Sequence, residues 1–95
     1  MEAVIIKTEK RLDVGRAPAL EQKLMELLDE GNMEIILDME DTSYISSMAL
    51  RAILKVLKRV KTMGGSLVLR HVSQTVMEVF EVTNFASILT FEETE

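Results

Sequence analysis

The sequence predicts a single α/β domain over residues 1–95, a mixed β-sheet flanked by α-helices in the order β-β-α-β-α-β-α-β. Short apolar runs of strand length alternate with stretches whose apolar residues fall at helical spacing. Glycine, proline and asparagine sit at the joints. Three strand–helix–strand crossovers imply largely parallel neighbours, since parallel strands cannot be joined by tight turns. Ninety-five residues with 47% hydrophobic content suit one core.

Residues 3–7, Ala-Val-Ile-Ile-Lys, are expected as the first strand and Arg11-Leu12-Asp13-Val14 as a short second one. Gly15 breaks the pattern, and Pro18 suits the first turn of a helix because its missing N–H has no partner there. Leu20, Leu24, Leu27 and Leu28 form that helix's buried stripe, which Gly31-Asn32 ends. Met33–Met39 follows as a buried strand. A second helix is expected from Ser47 to Met63, with Leu50, Ile53, Leu54, Leu57 and Val60 on one face and Gly64-Gly65 as its stop. Ser66–Leu69 is the next strand. Ser73 caps a third helix reaching Thr83, with Val76, Val79 and Phe80 inward and Asn84 at its end. Ile88–Phe91 closes the sheet, and the acidic tail Glu92–Glu95 is expected to fray.

Charge narrows the class of function. The net charge of −5 argues against nucleic acid as a partner. Residues 17–47 carry eight acids against Lys23 alone, whereas residues 48–70 carry six bases and no acid. The protein is therefore an acidic body bearing one basic helix. Cysteine is absent, which excludes disulfides and thiolate metal sites. The N-terminal apolar run is too short for a signal peptide, and no run approaches the ~20 residues that cross a bilayer. A soluble, cytoplasmic protein without direct membrane insertion is expected.

The most informative stretch is Tyr44-Ile45-Ser46-Ser47-Met48-Ala49-Leu50-Arg51, where two serines stand at a strand-to-helix junction. With Ser46 as N-cap, the flanking N′ and N4 positions are Ile45 and Leu50, which can form an apolar staple. With Ser47 as cap they would be Ser46 and Arg51, which cannot. The staple favours Ser46 as the cap and leaves the Ser47 hydroxyl unclaimed at the first helical position; the plainer alternative is that both serines are ordinary capping residues. A phosphate there would meet free N–H groups and the positive end of the helix dipole. It would add roughly −1.5 to −2 charges at the surface while sparing the fold.

From about residue 3 to residue 91 the chain resembles the STAS domains of bacterial anti-sigma factor antagonists. The resemblance is carried by Leu37-Asp38 with Tyr44–Arg51, by Gly64-Gly65-Ser66-Leu67-Val68-Leu69 and by Val79-Phe80-Glu81-Val82-Thr83. In such proteins the serine two residues before a family glycine is phosphorylated by a partner. Ala49 takes the glycine's place, so the resemblance implies Ser47. The family often has aspartate before that serine; here it is Ser46, another strong N-cap. Ala49 adds a methyl where a partner is expected to approach.

The resemblance implies partner switching. The unmodified chain would bind a serine-kinase anti-sigma factor, the kinase would phosphorylate Ser47, and a serine phosphatase would reverse the change. The docking patch expected around Ser47 comprises Asp41, Thr42, Tyr44, Ser46, Met48, Ala49 and Arg51. An alternative within the same fold is an unphosphorylated subunit that binds an ATPase of a membrane transport complex.

Other constellations are thin. A small serine hydrolase would need His71, the only histidine, beside Ser47 and oriented by Asp38 or Asp41, yet no Gly-x-Ser-x-Gly turn is present. His71 reads as a loop residue. Gly64-Gly65 with Lys61 lacks the spacing of a phosphate-binding loop. Asp38, Glu40 and Asp41 lack the spacing of a calcium loop, and Asp41-Thr42-Ser43 reads as a turn. No cofactor or metal is expected. Arg51, Lys55, Lys58 and Arg59 line the polar face of the second helix, with Arg51 the most suited to meet a partner.

Overall fold

Two long segments, residues 4–12 and 34–46, run side by side and organise the molecule. A computed structural model describes residues 3–92. Strand β1 (Val4–Lys7) pairs in parallel with β3 (Glu34–Asp38), and β2 (Arg11–Leu12) pairs in parallel with β4 (Tyr44–Ile45). The offset between partners is 31 at Val4↔Ile35 and 33 at Arg11↔Tyr44, so the second segment holds two surplus residues at the break. Hydrogen bonds Thr8 N–H to Asp38 O (3.0 Å) and Ser43 N–H to Lys10 O (2.9 Å) carry the pairing across it. The hydroxyls of Thr8 and Thr42 fill the seam at 2.6 Å, and Thr42 donates to Glu9 O at 2.7 Å. The Thr8 hydroxyl is therefore the donor to Thr42, and both residues are buried.

Helix α1 (Ala17–Asp29), helix α2 (Ser47–Thr62), strand β5 (Ser66–Arg70), helix α3 (Gln74–Val82), a 3-10 turn (Phe85–Ser87) and strand β6 (Thr90–Phe91) complete the chain. The main sheet has the order β1-β3-β5-β6. The α/β class holds, but the expected mixed sheet is corrected: every strand pairing among the described residues is parallel. β2 continues along the same neighbouring segment as β1 instead of folding back, so no antiparallel pair arises. The expected order also lacked β4, a two-residue strand whose length leaves no periodic signal. β2 stops at Leu12 rather than Val14 because Asp13 turns the chain, accepting the N–H groups of Arg16 and Ala17 on its carbonyl.

Alternation builds the core. Ile35 and Leu37 on β3 lie in register with Leu67 and Leu69 on β5, and all four are buried. Leu20, Leu24 and Leu28 of α1 cover them together with Ile53, Val56, Leu57 and Val60 of α2. Each such side chain contributes roughly 1.5–3 kcal/mol on burial. Leu27, Leu54 and Val79, expected inward, are half-buried.

The Gly64-Gly65 stop has two separate causes. Gly64 takes φ +78° so that Gly64 N–H and Gly65 N–H can close the helix on Lys61 O and Val60 O. At Gly65 a Cβ would lie 2.1 Å from Met33 O, where α2 gives way to β5 beside the start of β3.

The C-terminal expectation is also corrected. Phe85 O accepts from both Ile88 N–H and Leu89 N–H, so the chain turns where a strand was expected and β6 begins only at Thr90. Glu92 is anchored: its N–H bonds Leu69 O at 2.8 Å and its carboxylate grips Arg70 through two bonds of 2.9 and 3.0 Å. The rest of the expected frayed tail, residues 93–95, lies outside the described residues.

Candidate functional site

Ser46 leaves the strand pair in an extended conformation and spends every polar group it has. Its N–H donates to Leu12 O (2.8 Å), its carbonyl accepts from Leu50 N–H (3.0 Å), and its Oγ accepts from Ala49 N–H (3.1 Å). It is the N-cap of α2 and only 6% exposed. Ile45 and Leu50, on either side of the cap, are both buried in the core.

Ser47 stands one residue further on, at the first helical position, and is exposed. Its hydroxyl makes no hydrogen bond to any described residue. The first turn of α2 carries no acidic side chain, while Arg59 and Lys61 occupy its last turn. The positive end of the dipole therefore faces solvent unopposed beside the free hydroxyl.

Three further side chains reach the surface in this segment. Tyr44 is 41% exposed, and the Arg11 guanidinium lies 4.4 Å from its ring centroid, a cation–π contact across the β2–β4 pair. Met48 is 43% exposed and, with Arg51, lines a shallow cleft of about 180 Å³ between the first turns of α1 and α2. Ala17, Pro18 and Glu21 form its opposite wall, where Glu21 pairs with Lys55 at 3.8 Å. Arg51 has no ion pair among the described residues.

Three residues of the expected docking patch are corrected. Thr42 is buried because its hydroxyl serves the seam, Ser46 because it caps the helix, and Ala49 because its methyl points into the core. None presents its side chain at the surface, and the added methyl of Ala49 lies in the core. Asp41 is exposed but paired with Lys7 at 3.5 Å, by the ends of β1 and β3. Arg11 and Pro18 belong near the site and were not anticipated there. The pairing of Arg11 with Tyr44 depends on the two-residue surplus, which leaves no local trace in the sequence.

His71 is more than a loop residue. It takes φ +58° after β5, and its Nδ1 lies 3.0 Å from Asp38 Oδ1. That hydrogen bond, helped by Glu40 N–H, holds the Asp38 carboxyl below the usual carboxylate range. Nδ1 thus faces Asp38, the orientation a triad would also use, but among the described residues no hydrogen bond joins the ring to Ser47.

Comparison with known proteins follows the same lines. The STAS domain family matches over residues 2–95. BtrV of Bordetella bronchiseptica, assigned as an anti-sigma factor antagonist, is 40% identical over 78% of this chain, a match spanning 64% of its own length. The anti-sigma-B factor antagonist of Bacillus subtilis is 33% identical over 82% of this chain and 71% of its own. Among solved structures, TM1081 of Thermotoga maritima superposes with a TM-score of 0.90 at 27% identity, covering 97% of this chain and 80% of that one. The fold is also that of the anti-sigma factor antagonist SpoIIAA, solved in unphosphorylated and phosphorylated forms, with TM-scores of 0.77 and 0.75 at 20% identity. Those matches cover 99% and 97% of this chain and 82% and 84% of the SpoIIAA chains. No helix among the described residues is long and apolar enough to cross a membrane.

Proposed function

Because this chain belongs to the STAS-domain family, we propose that it is an anti-sigma factor antagonist switched by phosphorylation of Ser47. The reading is carried by the inequality of two adjacent serines. Ser46 has no polar group to spare, whereas Ser47 offers an unbonded hydroxyl to solvent.

In this reading the unmodified chain docks in the cytoplasm on a serine-kinase anti-sigma factor through Tyr44, Met48 and Arg51, and so frees the sigma factor. Pro18, across the cleft from Met48, extends the contact towards α1. The kinase transfers the γ-phosphoryl group of ATP to Ser47 Oγ, the Ser47 proton leaves, and ADP is released. The new charge meets the open N–H groups of α2, so the fold persists while the docking surface gains negative charge beside Met48. A phosphatase adds water to the phosphoester and returns serine and inorganic phosphate.

The test pairs modification with binding. Radiolabelled ATP and the cognate kinase should label the wild type; Ser47→Ala should abolish labelling and retain binding. Ser47→Asp should weaken the complex with almost no change in melting temperature. Labelling that survives Ser47→Ala overturns the assignment. Retained binding to an ATPase of a transport complex, with no labelling at all, would replace the switch with a constitutive subunit.

A further inference from the structure

A second polar cluster lies at the C-terminal ends of three adjacent strands. Register sets Lys7, Asp38 and Arg70 in one row across β1, β3 and β5. The chain leaving β3 adds Glu40 and Asp41, and the chain leaving β5 adds His71 in its left-handed conformation. One donor atom from each of Asp38, Glu40 and His71 lies within 4.8 Å of the other two. The closest pair, His71 Nδ1 and Asp38 Oδ1, is 3.0 Å apart. Two ligands of a tetrahedral ion at about 2.1 Å are separated by about 3.4 Å, so this pair opens by only a few tenths of an ångström to admit one.

Charge also matches. Lys7 reaches two carboxylates, Glu40 Oε1 at 3.1 Å and Asp41 Oδ2 at 3.5 Å, so it keeps Asp41 when Glu40 turns away. Arg70 is already held by both oxygens of Glu92. Asp38 and Glu40 then leave two negative charges without a fixed cation, beside one imidazole. Asp38 is 15% exposed and His71 38%, so the donors are anchored yet reachable.

We propose that Asp38, Glu40 and His71 bind a divalent first-row transition-metal ion of the zinc class, with its remaining positions open to water. One imidazole with two carboxylates suits borderline metals better than calcium, which takes oxygen alone. On binding, the ion takes the place of the proton between His71 Nδ1 and Asp38, the neutral ring then carrying its one proton on Nε2 by exchange with water, and the ion replaces Lys7 on Glu40. The bound ion would tie the β3–β4 connection to the end of β5. The site is independent of the Ser47 reading, because it shares no residue with it.

A single histidine makes the test direct. The full chain is titrated with Zn²⁺ by calorimetry and with Co²⁺ by absorption, while the lone imidazole resonance is followed by NMR. One equivalent should bind, with the imidazole signal shifted by Zn²⁺ and the melting temperature raised. His71→Ala and Glu40→Gln should each weaken binding at least ~10-fold, and Asp13→Asn should leave it unchanged. The wild-type imidazole signal decides the matter if a variant fails to fold. An imidazole that ignores the ion, or binding that survives His71→Ala, would assign the metal to scattered carboxylates or chain ends and overturn the proposal.

Discussion

Replacing Ser46 and Ser47 one at a time by alanine separates two roles that composition treats as equal. Ser46→Ala removes the hydroxyl that accepts from Ala49 N–H, and Ala49 is fully buried, so no water can replace it. Losing an N-cap costs about 1 kcal/mol, and stranding a buried donor moves the cost towards the upper end of the range, about 2 kcal/mol. For a domain of this size that corresponds to a fall in melting temperature of roughly 8–16 °C. Ser47→Ala removes no hydrogen bond and gains helix propensity, so it should change stability by no more than ~0.5 kcal/mol. Ser46→Asp, which keeps a capping oxygen at the positive end of the dipole, should recover most of the loss. Urea and thermal unfolding of the four proteins make the comparison. Equal losses for the two alanine variants, or a larger one at Ser47, would refute the cap assignment and with it the argument that the Ser47 hydroxyl is spare.

Two other predictions address the rest of the scaffold. Thr42→Val keeps the shape but breaks both seam hydrogen bonds, at a cost of about 1–3 kcal/mol by urea unfolding; adding Thr8→Val should cost less than the sum, because the partner is already lost. Asp38 titrates below its unfolded value chiefly because of the His71 hydrogen bond. Its stabilisation is therefore complete above about pH 4, the unfolded range, and is lost as pH falls through the lower folded value. Acid titration should accordingly show the stability gap between wild type and Asp38→Asn closing only below that pH; a gap that closes between pH 5 and 8 would contradict the assignment.

What could be read from the sequence was local chemistry. Ser46 with Ile45 and Leu50, Ser73 at the start of α3, and the Gly31-Asn32 and Gly64-Gly65 stops act within about five residues, so their meaning survives without the fold. Contacts that depend on register could not be read. The burial of Thr42, the stacking of Arg11 on Tyr44 and the meeting of His71 with Asp38 each join residues about 33 apart, through strand pairings that carry no local mark. Ala49 shows the limit within a helix: a small residue two positions after an exposed serine reads equally as surface or core until the neighbouring elements are placed.

The surplus at the β1–β2 break has a consequence for how this chain tolerates changes in length. Partner offsets on both sides of the break are odd numbers, so the extra residues preserve parity: Leu12 still meets Ile45, and both stay in the core. Deleting one residue between positions 39 and 43 would bring Ile45 opposite Arg11 and turn the greasy side of the strand outwards, just ahead of the capping serine. Deleting two would restore the frame. Insertions and deletions in this stretch should thus be accepted in even steps, and odd ones should misdirect the whole helix that follows.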